Sequence, residues 1–285
     1  MGLSSVQGFV PRPATSDELQ RALDAFTKSR WGALPSGDDV ADDDERSAVE
    51  KRNRELRYVE TERARVSDRA AEAPDHPGAF VAWFEELQTT GPGQRDPLFD
   101  WLENEASLDE TIWVLRQEIA SEAGFDDHVA RTREKIRARV TLEGVLEAPV
   151  LSRLADELGI GPAASDLVPE CLALGNLLAA LAAHRRYAHA SLGALVASEL
   201  TSASRAARLN AGLRRLGVKG EARRAHLLRA TLDEQRTARW NRAVLRPLVA
   251  SDPRTARAIA EGALMRLDAG ARCLERYRRD LGMTP

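Results

Sequence analysis

Apolar residues in this chain recur three and four positions apart along almost its whole length, and nowhere do they alternate in twos long enough to make a strand. Leu19, Leu23 and Phe26 keep helical spacing, as do Val49, Leu56, Val59 and Val66, and later Trp113, Ile119, Phe125 and Val129. With no strand signal there is no βαβ unit, and no repeat recurs at solenoid spacing. The periodicity therefore predicts an all-α chain, a multi-helix bundle. Its 285 residues are enough to bury a substantial core.

Capping residues and helix breakers divide the bundle. Ser16, with Asp17 and Glu18 behind it, predicts the first helix start. A charged helix is expected over 46–73, a short one over 80–87, and a long one over 107–139 that opens on the capping box Ser107-Leu-Asp-Glu110. Gly144 and Pro149 interrupt the next stretch, leaving a small helix over 150–158. Pro169 opens an alanine-rich helix, apolar nearly all round and expected to end at Glu199; Thr201 starts the next, ending at Gly217. Two further helices are expected over 221–249 and from Asp252-Pro253 to Leu281. Residues 1–15 read as a loose tail. Residues 16–282 read as one domain, with N-terminal helices over 16–75, middle helices over 76–160 and C-terminal helices over 166–282.

Charge and cysteine usage exclude several classes. Forty-one basic residues face 44 acidic ones, and a net charge of −3 gives no reason to expect nucleic acid or a membrane as partner. The arginine-rich stretch LRRLGVKGEARRAHLLR lacks interleaved aromatics and reads as a solvated basic corner. The acidic run GDDVADDDE lacks the spacing of a calcium loop. Cys171 and Cys273 are too few for a disulfide scaffold, and residues 1–13 lack the basic start and apolar run of a secretory signal, so a cytoplasmic setting is expected.

Helical bundles place their sites on inward-projecting side chains, so ionisable residues on apolar faces are the candidates. Glu118 and Glu122 stand at i and i+4 with His128 further along; Glu199 closes an apolar run; Asp233 lies between Leu232 and Trp240. Each also reads as an ordinary solvated carboxylate. The segment HRRYAH, with His184, Arg185, Tyr187 and His189, reads either as a packed polar patch or as an anion-binding pocket.

Three stretches, LFDWLENEASLDETIWVLRQEIASEAGFDDHVA, LALGNLLAALAAHRRYAHASLGALVASELTSASRA and ATLDEQRTARWNRAVLRPLVASDPRTARAIAEGALMRLDAGARCLERY, resemble the iron-containing redox enzyme family. These are heme-oxygenase-like diiron oxidases. The resemblance runs over about residues 16–282 and is most specific after Cys171. It implies a heme-oxygenase-like bundle of about seven core helices. It further implies a dinuclear iron site fed by carboxylates on two helices, a Glu-and-His pair on a middle segment, and a His-x3-Asp-x2-His motif on a late helix. By that resemblance Glu122, or less well Glu118, takes the first carboxylate position and Glu199 the second. Asp233 takes the centre of the late motif, in a register fixed by Trp240-Asn241.

The resemblance breaks at the nitrogen ligands. Arg229 and Arg236 occupy the two histidine positions of the late motif, and the passage from Arg139 to Leu151 is too short for the middle Glu-and-His segment. A guanidinium is permanently protonated and offers only donors, so it cannot ligate iron. Arg229 and Arg236, at i−4 and i+3 of Asp233, are placed instead as counter-charges to the carboxylates. His226, on the same stripe, remains as a lone nitrogen donor.

The expectation is a homologue with an eroded metal site, with no cofactor, acting as a binding or partner protein beside an intact relative or a second copy. The alternative is an oxidoreductase using O2 on a small amino-acid-derived or fatty-acid-like substrate. It would employ a rearranged iron site or no metal at all, as in the pyrroloquinoline quinone synthase family.

Overall fold

The computed structural model describes residues 17–31, 45–136, 155–156, 158–160, 166–221, 223 and 234–283, and every regular element among them is helical. In chain order these are α1 (Asp17–Trp31), α2 (Glu45–Ala71), α3 (Pro77–Thr90), α4 (Pro97–Asn104), α5 (Leu108–Ser121) and α6 (Phe125–Ile136), then α7 (Pro169–Ala183), a 3₁₀ turn (Arg185–Tyr187), α8 (Ala188–Arg215), α9 (Glu234–Ser251) and α10 (Arg254–Asp280). No described helix is long and apolar enough to cross a membrane. The expected small helix over 150–158 and the start of the one over 221–249 lie largely outside the described residues.

The most extensive packing among the described helices is between α8 and α10, and α10 also lies against α2 and α7. Gly193 meets Ile259 and, further along both helices, Ser198 meets Arg266, so α8 and α10 run parallel. Two glycines let their backbones touch. A β-carbon on Gly193 would fall 1.9 Å from the Ile259 carbonyl oxygen, and one on Gly262 would fall 1.8 Å from that of Ala190. Around this seam α7 is buried almost along its entire length, through Leu174, Leu177, Leu178 and Leu181. That accords with its lack of a polar face.

Charged α2 is fastened to α10 by ion pairs whose acids are nearly dry. Glu62, 1% exposed, accepts from Arg272 at 2.5 Å and pairs with Arg65; Glu261, 4% exposed, accepts from Arg63 at 2.7 Å. Removing two charges from water is costly, and the forked guanidinium offsets that cost by giving the carboxylate matched donors.

Two expected boundaries are corrected. The helix expected over 107–139 is two helices: Ser107 and Glu110 do form the capping box, but α5 stops at Ser121 and Gly124, at φ 77°, turns the chain into α6. L side chains avoid that backbone region, so a glycine stands there. The break expected at 199–201 is absent, for α8 continues through it to Arg215. The chain instead breaks at HRRYAH, where His184 leaves helical geometry (φ −99°, ψ 124°) and ends α7. Glu199 is thus a mid-helix residue, not the end of one.

The glycine seam makes a prediction. Gly262→Ala will lower unfolding stability by about 1–3 kcal/mol through overpacking. In an unhindered helix the same change would stabilise by up to about 1 kcal/mol. Urea denaturation followed by circular dichroism reads the sign, and a variant as stable as the parent would mean that the two backbones are not in contact.

Candidate functional site

The last turn of α5 brings two carboxylates to one place. Glu118 lies in that turn and Glu122 is the residue that caps it, its backbone N–H donating to the carbonyls of Ala120 and Glu118. Both side chains line a cavity of about 70 Å3 where α4, α5, α7, α8 and α10 meet. A single water needs only about 10–15 Å3 of such space, so the cavity has room for several. A helix C-terminus carries partial negative charge and no basic residue lies in the last turn of α5, so two carboxylates there need positive charge from elsewhere.

It comes from two arginines that sequence reasoning did not single out. Arg266, on α10, is 8% exposed and lines the cavity, with its Nε donating to Ser198 Oγ of α8 at 3.0 Å. Burial pushes its pKa below the ordinary arginine value, against the attraction of Glu122 and Glu118. Gly270 leaves it room, since a β-carbon there would lie 2.7 Å from Arg266 Nη1. Arg205, one helix over on α8, lies over the Phe99 ring with its guanidinium carbon 5.2 Å from the centroid, and donates from Nη2 to the Gly93 carbonyl at 2.6 Å. Burial brings its pKa down to about 10, with Arg266 repelling it and Glu118 and Asp96 opposing the shift. A guanidinium is not deprotonated in a protein, so both side chains bring positive charge to the cavity.

Tyr277 and Cys273 complete the α10 side of the cavity, and Trp113 meets the Tyr277 ring edge-on at 5.5 Å between centroids. Burial pushes the Cys273 thiol up to about 12, so its sulfur stays protonated. One signal in the sequence pointed here: Arg266 stands among Leu264, Met265 and Leu267 with Gly262 and Gly270 one turn to either side. Small residues flanking a lone arginine on an apolar stripe leave space for a buried guanidinium.

The other sequence candidates fall elsewhere. Glu199 lies on α8 directly after cavity-lining Ser198, but its side chain is outside the described residues, as is that of Arg236 on α9. His226, Arg229 and Asp233 lie outside them entirely. His128 is buried on α6 and is not among the cavity-lining residues.

The HRRYAH segment faces α2 rather than the cavity. His184 Nε2 pairs with the buried Glu55 carboxylate at 2.6 Å, and the Tyr187 hydroxyl donates to Glu60 at 2.6 Å. Burial pulls the Glu60 pKa up, but the Tyr187 hydroxyl, Arg63 and Arg186 outweigh it and hold Glu60 low. Arg185 is exposed. His189 is half-buried, and burial lowers its pKa against the opposing charge of Asp252. His184 and Tyr187 tie the α7–α8 junction to α2, and none of the HRRYAH residues lines the cavity.

The described donor set around the cavity does not fit a dinuclear iron centre. Iron sites of this type join imidazoles to carboxylates. Here the described lining supplies two carboxylates, two serine hydroxyls, a neutral phenol, a protonated thiol and two guanidiniums, and no imidazole. Among the described residues no three His, Cys, Asp or Glu side chains gather closely enough to hold a metal ion.

Arg266 compensates charge inside the bundle and bonds to α8, so removing it should weaken the whole fold. Arg266→Met, which keeps the length of the stem, is expected to lower unfolding stability by about 2–3 kcal/mol through the lost hydrogen bond and the uncompensated carboxylates. Equilibrium urea denaturation measures this, and an unchanged midpoint would show that Glu118 and Glu122 do not depend on it.

Comparison with known proteins gives one finding. A family model described as iron-containing redox enzyme matches residues 148–271. No curated protein and no solved structure matches the chain. The matched stretch contains α7, α8, α9 and most of α10, and so carries the cavity residues Ser198, Arg205 and Arg266. Over residues 148–271 this all-α chain thus matches the iron-containing redox enzyme family, whose fold is heme-oxygenase-like.

Proposed function

We propose that this chain is a heme-oxygenase-like homologue in which an arginine–carboxylate cluster stands in place of a dinuclear iron site, and that it works without a metal as a binding or partner protein rather than as an oxidase. The observation that carries this reading is the presence of two enclosed guanidiniums, Arg205 and Arg266, on the cavity that also receives Glu118 and Glu122. In a carboxylate-rich bundle the metal is what offsets mutual repulsion of the acids, and unpaired buried charge is expensive. Guanidinium groups provide that positive charge permanently, and a cation entering the same space would meet both carboxylate and guanidinium.

The sequence supports the same reading at the late motif, where Arg229 and Arg236 stand at the positions that the resemblance gives to histidine. A fold can survive this exchange because its stability resides in packing: the α8–α10 seam and the buried α7 need no metal. The partner in this proposal is an intact relative or a second copy of the chain, in a cytoplasmic setting.

Anaerobic loading with ferrous ion, followed by desalting and metal analysis, tests the proposal. Iron is expected to stay far below one per chain, with no oxygen consumed on exposure to air. Stoichiometric retention of two irons, with optical bands of an oxidised diiron centre, would contradict it.

A further inference from the structure

One group at the cavity lacks what buried polar groups nearly always have. Arg205 keeps some solvent exposure as a residue, yet its Nε is enclosed and donates to nothing among the described residues, although buried donors are almost invariably satisfied by protein or ordered water. The rest of its guanidinium is fixed in place by the Gly93 carbonyl and the Phe99 ring. Of the carboxylates nearby, Glu118 acts on both guanidiniums, without accepting from the Arg205 Nε. Asp96 pairs with Arg278 and caps α4 through the Leu98 N–H, while Glu122 acts on Arg266. Arg266 itself spends its Nε on Ser198. Beside Arg205 there remains a cavity of about 70 Å3, whose lining includes the partly buried Glu118, Glu122, Ser198 and Arg205.

We infer that this cavity binds one small planar monoanion of the carboxylate type, with the Nε–H of Arg205 as its principal donor and Arg266 as the second positive charge behind it. The inference rests on the metal-free reading above and deepens it by naming a ligand class. A planar guanidinium matches the plane of a carboxylate, which would give the idle Nε–H a charge-assisted acceptor. A single negative charge also screens Arg205 from Arg266, whose repulsion helps to hold down the Arg205 pKa. A dianion gains less, because Glu118 and Glu122 line the same space and repel its second charge.

Binding is tested on the full chain with sodium [13C]formate, at an ionic strength held constant with sodium sulfate, by 13C line broadening and by thermal unfolding. Metal content is measured on the same sample. Saturable binding of one formate per chain is expected, with a rise in Tm, while inorganic phosphate competes poorly. Arg205→Gln should weaken binding by about tenfold or more, and Arg205→Lys, which keeps the charge but not the fork, should weaken it to a similar extent. Arg214→Gln, exposed on the same helix, should leave it unchanged. Should Arg205→Gln fail to fold, Ala206→Leu decides, because it fills the cavity from α8 without touching a charge. Absence of saturable binding in the iron-free chain, equal binding by the Arg205 or Ala206 variants, or phosphate competing as well as formate would overturn the assignment. Two irons in the sample would defeat the metal-free reading instead, so the two failures are separable.

Discussion

The backbone contact between α8 and α10 sets the geometry of everything around it. Gly193 and Gly262 let the two helices approach until any β-carbon would collide with the opposing carbonyl, and they do so from opposite partners, one glycine on each helix. Closeness of that kind fixes both the separation and the register of the pair. Register is what matters for the cavity. It holds Ser198 against Arg266, and it places Arg205 on the same cavity as Cys273, Leu274 and Tyr277. Had larger residues stood at the seam, the helices would sit further apart and Arg266 would lose its acceptor on α8.

Electrostatics then decides what the cavity is. Glu118 and Glu122 lie at the negative end of α5, an unfavourable place for acids unless cations lie close by. In a carboxylate-bridged metalloprotein those cations are metal ions. Here the described cations are Arg205 and Arg266, held in an environment dry enough to lower the pKa of both. The guanidinium differs from a metal in one consequential respect, since it offers donors and takes no lone pairs. On the proposed reading, a cavity built around it recognises anions and hydrogen-bond acceptors and does without the coordination chemistry on which oxygen activation by iron depends. Elsewhere the molecule follows the same habit: Glu62 and Glu261, both buried, are each answered by arginine.

The fold was legible wherever a single residue carried an unambiguous local instruction. The Ser107–Glu110 capping box, Pro169 at the start of α7 and Asp252-Pro253 before α10 each mark a helix start that the structure contains. Breaks inside apolar runs were not legible. Gly124 interrupts a helix that would otherwise continue, but a glycine within a helical pattern weighs only about 1 kcal/mol and does not announce a turn. His184 breaks the chain between two stretches of equally apolar composition, so periodicity ran straight across it. For the site, Glu118 and Glu122 were visible because i and i+4 share a face. Arg205 and Arg266 were not singled out, because most arginines on helices are solvated: only the glycines one turn either side of Arg266 hinted at room for it, and the burial of Arg205 depends on Gly93 and Phe99, far away in sequence. The HRRYAH segment left two readings open, a packed polar patch or an anion-binding pocket, and His184 and Tyr187 answer carboxylates of α2 whose burial no local pattern reveals.

The central claim is that guanidinium groups occupy the electrostatic role of metal in this bundle. Diffraction at the iron absorption edge, from crystals of the chain soaked anaerobically in ferrous salt, tests it most directly. The account predicts density for the Arg205 and Arg266 guanidiniums at the cavity and no anomalous peak among Glu118, Glu122 and Arg266. A pair of anomalous peaks coordinated by those carboxylates, with the two arginines turned away, would contradict it.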